Sequence, residues 1–158
     1  MVSNDLDRID KQILMALQRN GRLSNQDLAD KVALSPSPCL RRVRRLEEEG
    51  YIQNYVALVN PEKVGLKLLA YVTIRLNKMH RSSHAPISDF ALDVQAWPEV
   101  VECYAMSGDM DYLLRVQVED LTKFSQFAMD KLMQHPAVVD MRSSFTLQRI
   151  KETTELPV

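Results

Sequence analysis

The chain has 158 residues, 46% of them hydrophobic, and a formal net charge of -1; this supports packed cores, one domain or two small ones, and excludes a disordered chain. No run of about 18 uncharged apolar residues occurs, which excludes a membrane-spanning helix, and the charged start MVSNDLDRIDKQ lacks the apolar stretch of a signal peptide. A cytoplasmic protein is expected, and Cys39 and Cys103 stand too far apart for a C-x-x-C site or a disulfide framework.

The first predicted element runs from Asn4 to Asn20, where Leu6, Ile9, Ile13, Leu14 and Leu17 follow the three-and-four spacing of one helical face, and the turn residues NGR end it. Ser24 can cap a short second helix over Asn25 to Val32, with Asp27 placed to reach back to it. A third helix starts after Ser35, a suitable cap. Pro36 and Pro38 fall in its first turn, where a missing N–H has no intrahelical partner to lose. It ends at Gly50, the residue type that most easily takes the left-handed position after a helix.

This third helix concentrates charge. Residues 35–46 contain Arg41, Arg42, Arg44 and Arg45 and no acid, so a local charge of +4 sits in a chain that is slightly acidic overall. Such asymmetry points to one surface facing a polyanion. If Leu40, Val43 and Leu46 form the buried stripe, Pro38, Arg41 and Arg45 point away from it and Arg42 and Arg44 lie on its flanks. The bland alternative is a solvated helix with Arg44–Glu48 and Arg45–Glu49 pairs. The order of a capped helix, a tight turn ALSPS and then the arginines favours a helix-turn-helix. Ser35, Ser37 and Pro38 would enter the major groove of double-stranded DNA, Arg41 and Arg45 would reach base edges or phosphates, and Arg42 and Arg44 would hold the backbone. The acids Glu47 to Glu49 sit at the end of the helix that the dipole disfavours, which leaves them solvated or in another role.

After Gly50 the hydrophobic period becomes two. YIQNYVALV is predicted as a strand and NPEKVG as a turn, which divides the chain into 1–51, a strand linker over 52–65, and 66–158. The second part reads as strand (LLAYVTIRLNK), helix (ISDFALDVQAW), strand (EVVECYAMS), strand (MDYLLRVQVE), helix (LTKFSQFAMDKLM) and strand (VVDMRSSFTLQRI). The fold class is therefore α+β, an N-terminal winged helix-turn-helix followed by a ferredoxin-like βαββαβ domain. One face of its sheet is left without a cover. Depending on register, that face carries Tyr71, Tyr104 or Cys103, Leu113 or Leu114, and Phe145 or Thr146.

The stretch from LDRIDKQILMALQRNGRLSNQDLADKVALSPSPCLRRVRRLEEEGYI to MSGDMDYLLRV resembles the Lrp/AsnC family of feast/famine transcription regulators over essentially the whole chain. The resemblance implies a regulator that answers to a free amino acid, dimerises through the uncovered sheet and assembles further to octamers. From the residues alone, SGDMDY (107–112) reads as a polar hairpin turn, with Gly108 allowing a tight backbone and Asp109 and Asp111 bringing two carboxylates to its tip. The resemblance makes this G-x-x-D loop, with Ser107, Gly108, Asp109 and Asp111, an effector site between neighbouring dimers, with Ser143 and Ser144 supplied from a neighbouring chain. Met106 and Met110 beside it favour leucine or methionine.

His80 and His84 are four apart but without a third ligand, and His135 reads as a helix terminus, so no metal or other cofactor is expected. No nucleophile–base pair or phosphate loop stands out, so the chain is not expected to be an enzyme. Two rival readings remain at this point. One is an architectural DNA-binding protein without an effector; the other is a subunit resembling siroheme decarboxylase, which shares the two-domain layout.

Overall fold

The computed structural model describes residues 6–77 and 89–158; His80, His84 and Ile87 lie outside them. The chain divides into two compact units, Met1–Leu58 with Lys151–Val158, and Val59–Ile150. This departs from the predicted division at the tail, since residues 151–158 group with the first unit. Two hydrogen bonds and an ion pair account for it. The Gln18 amide brackets the backbone of Leu156, donating from Nε2 to its carbonyl at 3.1 Å and accepting its N–H at 2.6 Å, and Arg19 meets Glu155 at 3.0 Å.

In the first unit α1 spans Arg8–Arg19, α2 Asn25–Lys31 and α3 Pro36–Glu48. Asp7 and Asp10 form a reciprocal capping box at the start of α1, each carboxylate accepting the other's backbone N–H. Ser24 caps α2 by accepting the Asp27 N–H at 3.1 Å, and the Asp27 carboxylate takes the Ser24 hydroxyl instead of reaching back to the backbone. Ser35 has the extended backbone of a cap but its side chain makes no capping hydrogen bond. Its neighbour Pro36 is held differently, by Asn25 Nδ2 donating to its carbonyl at 2.9 Å. The α2–α3 turn passes through Ala33 at φ 54, a left-handed position that disfavours any residue with a Cβ, and α3 ends on Gly50 at φ 77. Ile13, Leu14, Leu28, Ala29, Val32, Cys39 and Leu46 make the core between the three helices.

The strand predicted over 51–59 does not form. Residues 53–60 join no ladder, and Val56, Leu58 and Val59 are exposed. Alternating β-branched residues prepare a segment for a sheet, but a strand exists only where another edge satisfies its backbone groups. Tyr55 is nonetheless anchored, its hydroxyl donating to Glu47 Oε1 at 2.9 Å, which gives one of the three acids at the end of α3 a partner. Partial burial, and then the Glu47 carboxylate, push the Tyr55 phenol up to about 12.

The second unit contains β1 Leu68–Leu76, α4 Asp89–Gln95, β2 Val100–Ala105, β3 Tyr112–Val118, α5 Leu121–Phe127 continuing as one wide turn over Ala128–Leu132, and β4 Val138–Phe145. All neighbouring strands are antiparallel, in the order β2-β3-β1-β4. This is the ferredoxin-like arrangement. Ala70, Val72, Ile74, Leu114, Val116 and Val118 pack under Phe90, Phe124, Phe127 and Leu132. The last predicted strand is shorter than expected, because beyond Thr146, which still donates to Leu69 O, residues 147–150 leave the sheet.

Register resolves the ambiguous open face. Tyr104 pairs with Leu113, and Leu113 with Thr73, so these share the open face with Tyr71, whereas Cys103 and Leu114 lie with Val72 on the covered one. Phe145 is also on the covered face, opposite Ala70 and edge-on to Phe124 with ring centroids 5.0 Å apart. His135, just past the end of α5, is buried. Its Nδ1 accepts the Ala137 N–H at 3.1 Å, which leaves Nε2 to donate to Asp93 at 3.1 Å.

Candidate nucleic-acid interface and effector loop

The four arginines of α3 are not equivalent. Arg42 Nη1 meets Asp7 at 2.7 Å and Asp10 at 2.8 Å, and Arg45 Nη2 meets the other oxygen of Asp10. Asp10 is 1% exposed, within the buried stripe of α1. Arg41 and Arg44 are exposed and form no ion pair among the described residues, and neither predicted pair, Arg44–Glu48 or Arg45–Glu49, is present. The sequence places Arg45 pointing away from the buried stripe and Arg42 on its flank; in the structure both side chains are paired with carboxylates of α1 and its cap.

The physical reason is the choice of core residue. Cys39 is fully buried and Leu40 is 37% exposed, so the inward stripe is Cys39, Val43 and Leu46. Val43 and Leu46 stay in the stripe and only its first member changes, so the centre of the stripe moves by about 30°, toward the side of α3 that carries Arg42 and Arg45. The same shift places Ser37, Leu40, Arg41 and Arg44 on the exposed side, with Ser35 exposed ahead of them and Pro38 half-buried.

Charges within this network reinforce one another. The Asp7 carboxyl is held below its ordinary range, first by the Asp10 backbone N–H and then by Arg42. Asp10 raises both Arg42 and Arg45, with Asp7 adding to the effect on Arg42. A depressed carboxyl contributes stability above its unfolded value of about 3.9, and that contribution is lost as the pH falls through the lower folded value. Asn caps helices as well as Asp does, so Asp7→Asn removes the charge alone. The variant is expected to melt below the parent at pH 6, with the gap closing below about pH 3, as followed by helix circular dichroism during thermal unfolding. The burial of Cys39 likewise pushes its thiol up, in keeping with a core residue.

Sequence reading missed Asp7 and Asp10. The available signal was an acid at a core position, since Asp10 stands three and four residues before Ile13 and Leu14, where an isolated carboxylate would be costly and calls for a cationic partner.

In the second unit the β2–β3 loop closes with Met106 N–H donating to Asp111 O at 2.8 Å. Ser107, Gly108 and Asp109 form its exposed tip, and Gly108 at φ 122 occupies backbone space open mainly to glycine. Asp111 is set deeper. Its N–H donates to Ile74 O at 2.7 Å, and its Oδ2 accepts the N–H of Leu76 at 2.7 Å, beside the irregularity between Arg75 and Leu76. The side chain thus extends the β1–β3 ladder past its last residue pair, Ile74 with Tyr112. Asp109 is left as the exposed carboxylate of the loop. Ser143 and Ser144 are not brought to the loop within this chain: β4 is the opposite edge strand, and the two serines face opposite sides, Ser143 with Val72 and Ser144 with Tyr71.

Among the described residues no group of three or more His, Cys, Asp and Glu is arranged to hold a metal ion, and no helix is long and apolar enough to cross a membrane.

Comparison with known proteins matches residues 6–53 to the winged helix-turn-helix DNA-binding family and residues 69–156 to the Lrp/AsnC ligand binding domain. The leucine-responsive regulatory protein of Escherichia coli K12 is 42% identical over 154 residues, covering 98% of this chain and 92% of that protein. Among solved structures, a transcriptional regulator from Neisseria meningitidis in complex with L-Met is similar with a TM-score of 0.89 and 47% identity, covering 96% of each chain. An AsnC family transcriptional regulator from Agrobacterium tumefaciens gives 0.85 and 42%, covering 96% of this chain and 97% of that one. With both halves matched in order and at this level of identity, the chain belongs to the Lrp/AsnC family of DNA-binding transcription regulators.

Proposed function

We propose that this regulator is tuned by an apolar amino acid, methionine or leucine, and that Ser37, Arg41 and Arg44 on the exposed side of α3 make its principal DNA contacts. The observation that carries the DNA part is the pairing state of the arginines. Two are neutralised by carboxylates of their own unit, and two lie on one exposed face without an ion pair among the described residues. Ser35 and Pro38 flank that face. The effector part rests on the loop from Ser107 to Asp111, where Asp109 offers an exposed carboxylate to an ammonium group and Met106 and Met110 offer apolar surface. The names of the relatives, leucine-responsive in one case and L-Met-bound in another, agree with that chemistry. Ser144 would serve such a site only from another copy of the chain.

The working form is a cytoplasmic homodimer that assembles to an octamer, with the open sheet face around Tyr71, Tyr104 and Leu113 as the dimer surface. The protein acts by binding and not by catalysis, because the relatives it matches are regulators and its basic cluster lies on the helix-turn-helix. Effector binding shifts the population toward the state it fits better. A thermal-shift series with the twenty amino acids tests this. A ligand at about a hundredfold excess over its Kd adds about 2.7 kcal/mol, or about 5–10 °C for a chain of this size. Methionine or leucine is expected to give that rise, and a flat response to all twenty overturns the effector assignment.

A further inference from the structure

We propose that Asp10 is a positioning residue for DNA recognition: its buried carboxylate on α1 seats α3 through Arg42 and Arg45 and keeps those two arginines off the phosphate backbone. The inference rests on α3 being the DNA-reading helix. Both oxygens of Asp10 are used, Oδ1 by Arg42 and Oδ2 by Arg45, from positions three apart on one side of α3. Asp7 completes the cluster through Arg42, so two carboxylates face two guanidiniums and the group is neutral as a whole.

A neutral, internally bonded cluster does two things that a purely apolar contact would not. It restricts rotation of α3 about its own axis, because each guanidinium must meet a particular oxygen at hydrogen-bond distance. It also limits how much of the helix charge DNA can use. Of the +4 in residues 35–46, Arg41 and Arg44 are the two arginines without an ion pair among the described residues and so available to displace counterions; non-specific attraction is held down while the exposed face keeps its angle.

The test uses the full chain, an operator-like duplex selected from a random pool with the parent protein, and an unrelated duplex of equal length. Asp10→Asn keeps the shape but removes the charge that holds both arginines. Its specific affinity is expected to fall while its affinity for the unrelated duplex rises, reducing the ratio of the two at least about tenfold. The salt dependence of non-specific binding should steepen, by about 0.9 in the logarithmic slope for each arginine released. A residue that served stability alone would leave both readouts at parent values at temperatures well below melting. Should Asp10→Asn fail to fold, Arg42→Lys keeps the charge but loses the planar fork, and a smaller drop in the ratio is expected. A ratio within twofold of the parent in the folded variant overturns the proposal. Parent protein that shows no salt-dependent DNA binding at all would instead overturn the reading of α3 on which it stands.

Discussion

Replacing Arg41 and Arg44 together by glutamine is expected to weaken DNA binding by about 100-fold or more, because two charged interactions with the duplex, each worth about 1–3 kcal/mol, are removed. The slope of log K against log salt should become shallower by about 0.9 for each phosphate that is no longer neutralised. Thermal stability should not change, because both side chains are exposed and form no ion pair among the described residues. Arg42→Gln should act differently, lowering stability and the ratio of specific to non-specific affinity without changing the salt slope. Asp10 loses one of its two cationic partners, at a cost of about 1–3 kcal/mol in stability, while the salt slope stays where it was. Fluorescence anisotropy of a labelled duplex over a salt series, alongside calorimetric melting, reads both quantities. Equal loss of affinity in the two variants, with equal salt slopes, would show that the ion-paired arginines contact DNA as well.

Asp111→Ala is expected to do two kinds of damage at once. The buried N–H of Leu76 loses its acceptor, which costs about 1–3 kcal/mol, and the melting rise produced by methionine or leucine should disappear. Asp111→Asn separates the two effects. Its amide oxygen can still accept the Leu76 N–H, so stability should return to near the parent value, while the missing charge leaves the amino-acid response weakened. Asp109→Asn, at the exposed tip, should leave the melting temperature of the free protein unchanged. DNA affinity without effector should be unaltered in all three folded variants, since the loop and the arginines belong to different units. If Asp111→Asn and Asp109→Asn both keep a full ligand-induced rise, the effector does not use this loop's carboxylates.

The two carboxylates of the loop show how far a sequence motif reaches. Gly108 and the two acids are legible as a hairpin with charge at its tip, but nothing in the local pattern distinguishes Asp109 from Asp111. Only the β1–β3 register places one in solvent and commits the other to a backbone N–H of a strand more than thirty residues earlier. Ser143 and Ser144 make the same point, because adjacent strand residues face opposite sides and only pairing tells which side is covered.

Much of the architecture follows from local chemistry. The apolar period of α1, the cap at Ser24, the prolines at the start of α3 and Gly50 at its end specify three short helices without reference to the rest of the chain. The alternation of strands and helices after Gly65 likewise carries the ferredoxin-like order, because period two and period 3.6 are properties of backbone geometry. What tertiary structure decided is which of several locally equivalent residues is used. Cys39 and not Leu40 enters the core, so α3 turns and two of its arginines are drawn to a buried aspartate. The segment 51–59, predicted as a strand from its period of two, stays out of the sheet because ladder hydrogen bonds require a second edge. Propensity and periodicity act over a few residues, whereas burial of a charge and closure of a ladder depend on partners that only the folded chain brings near.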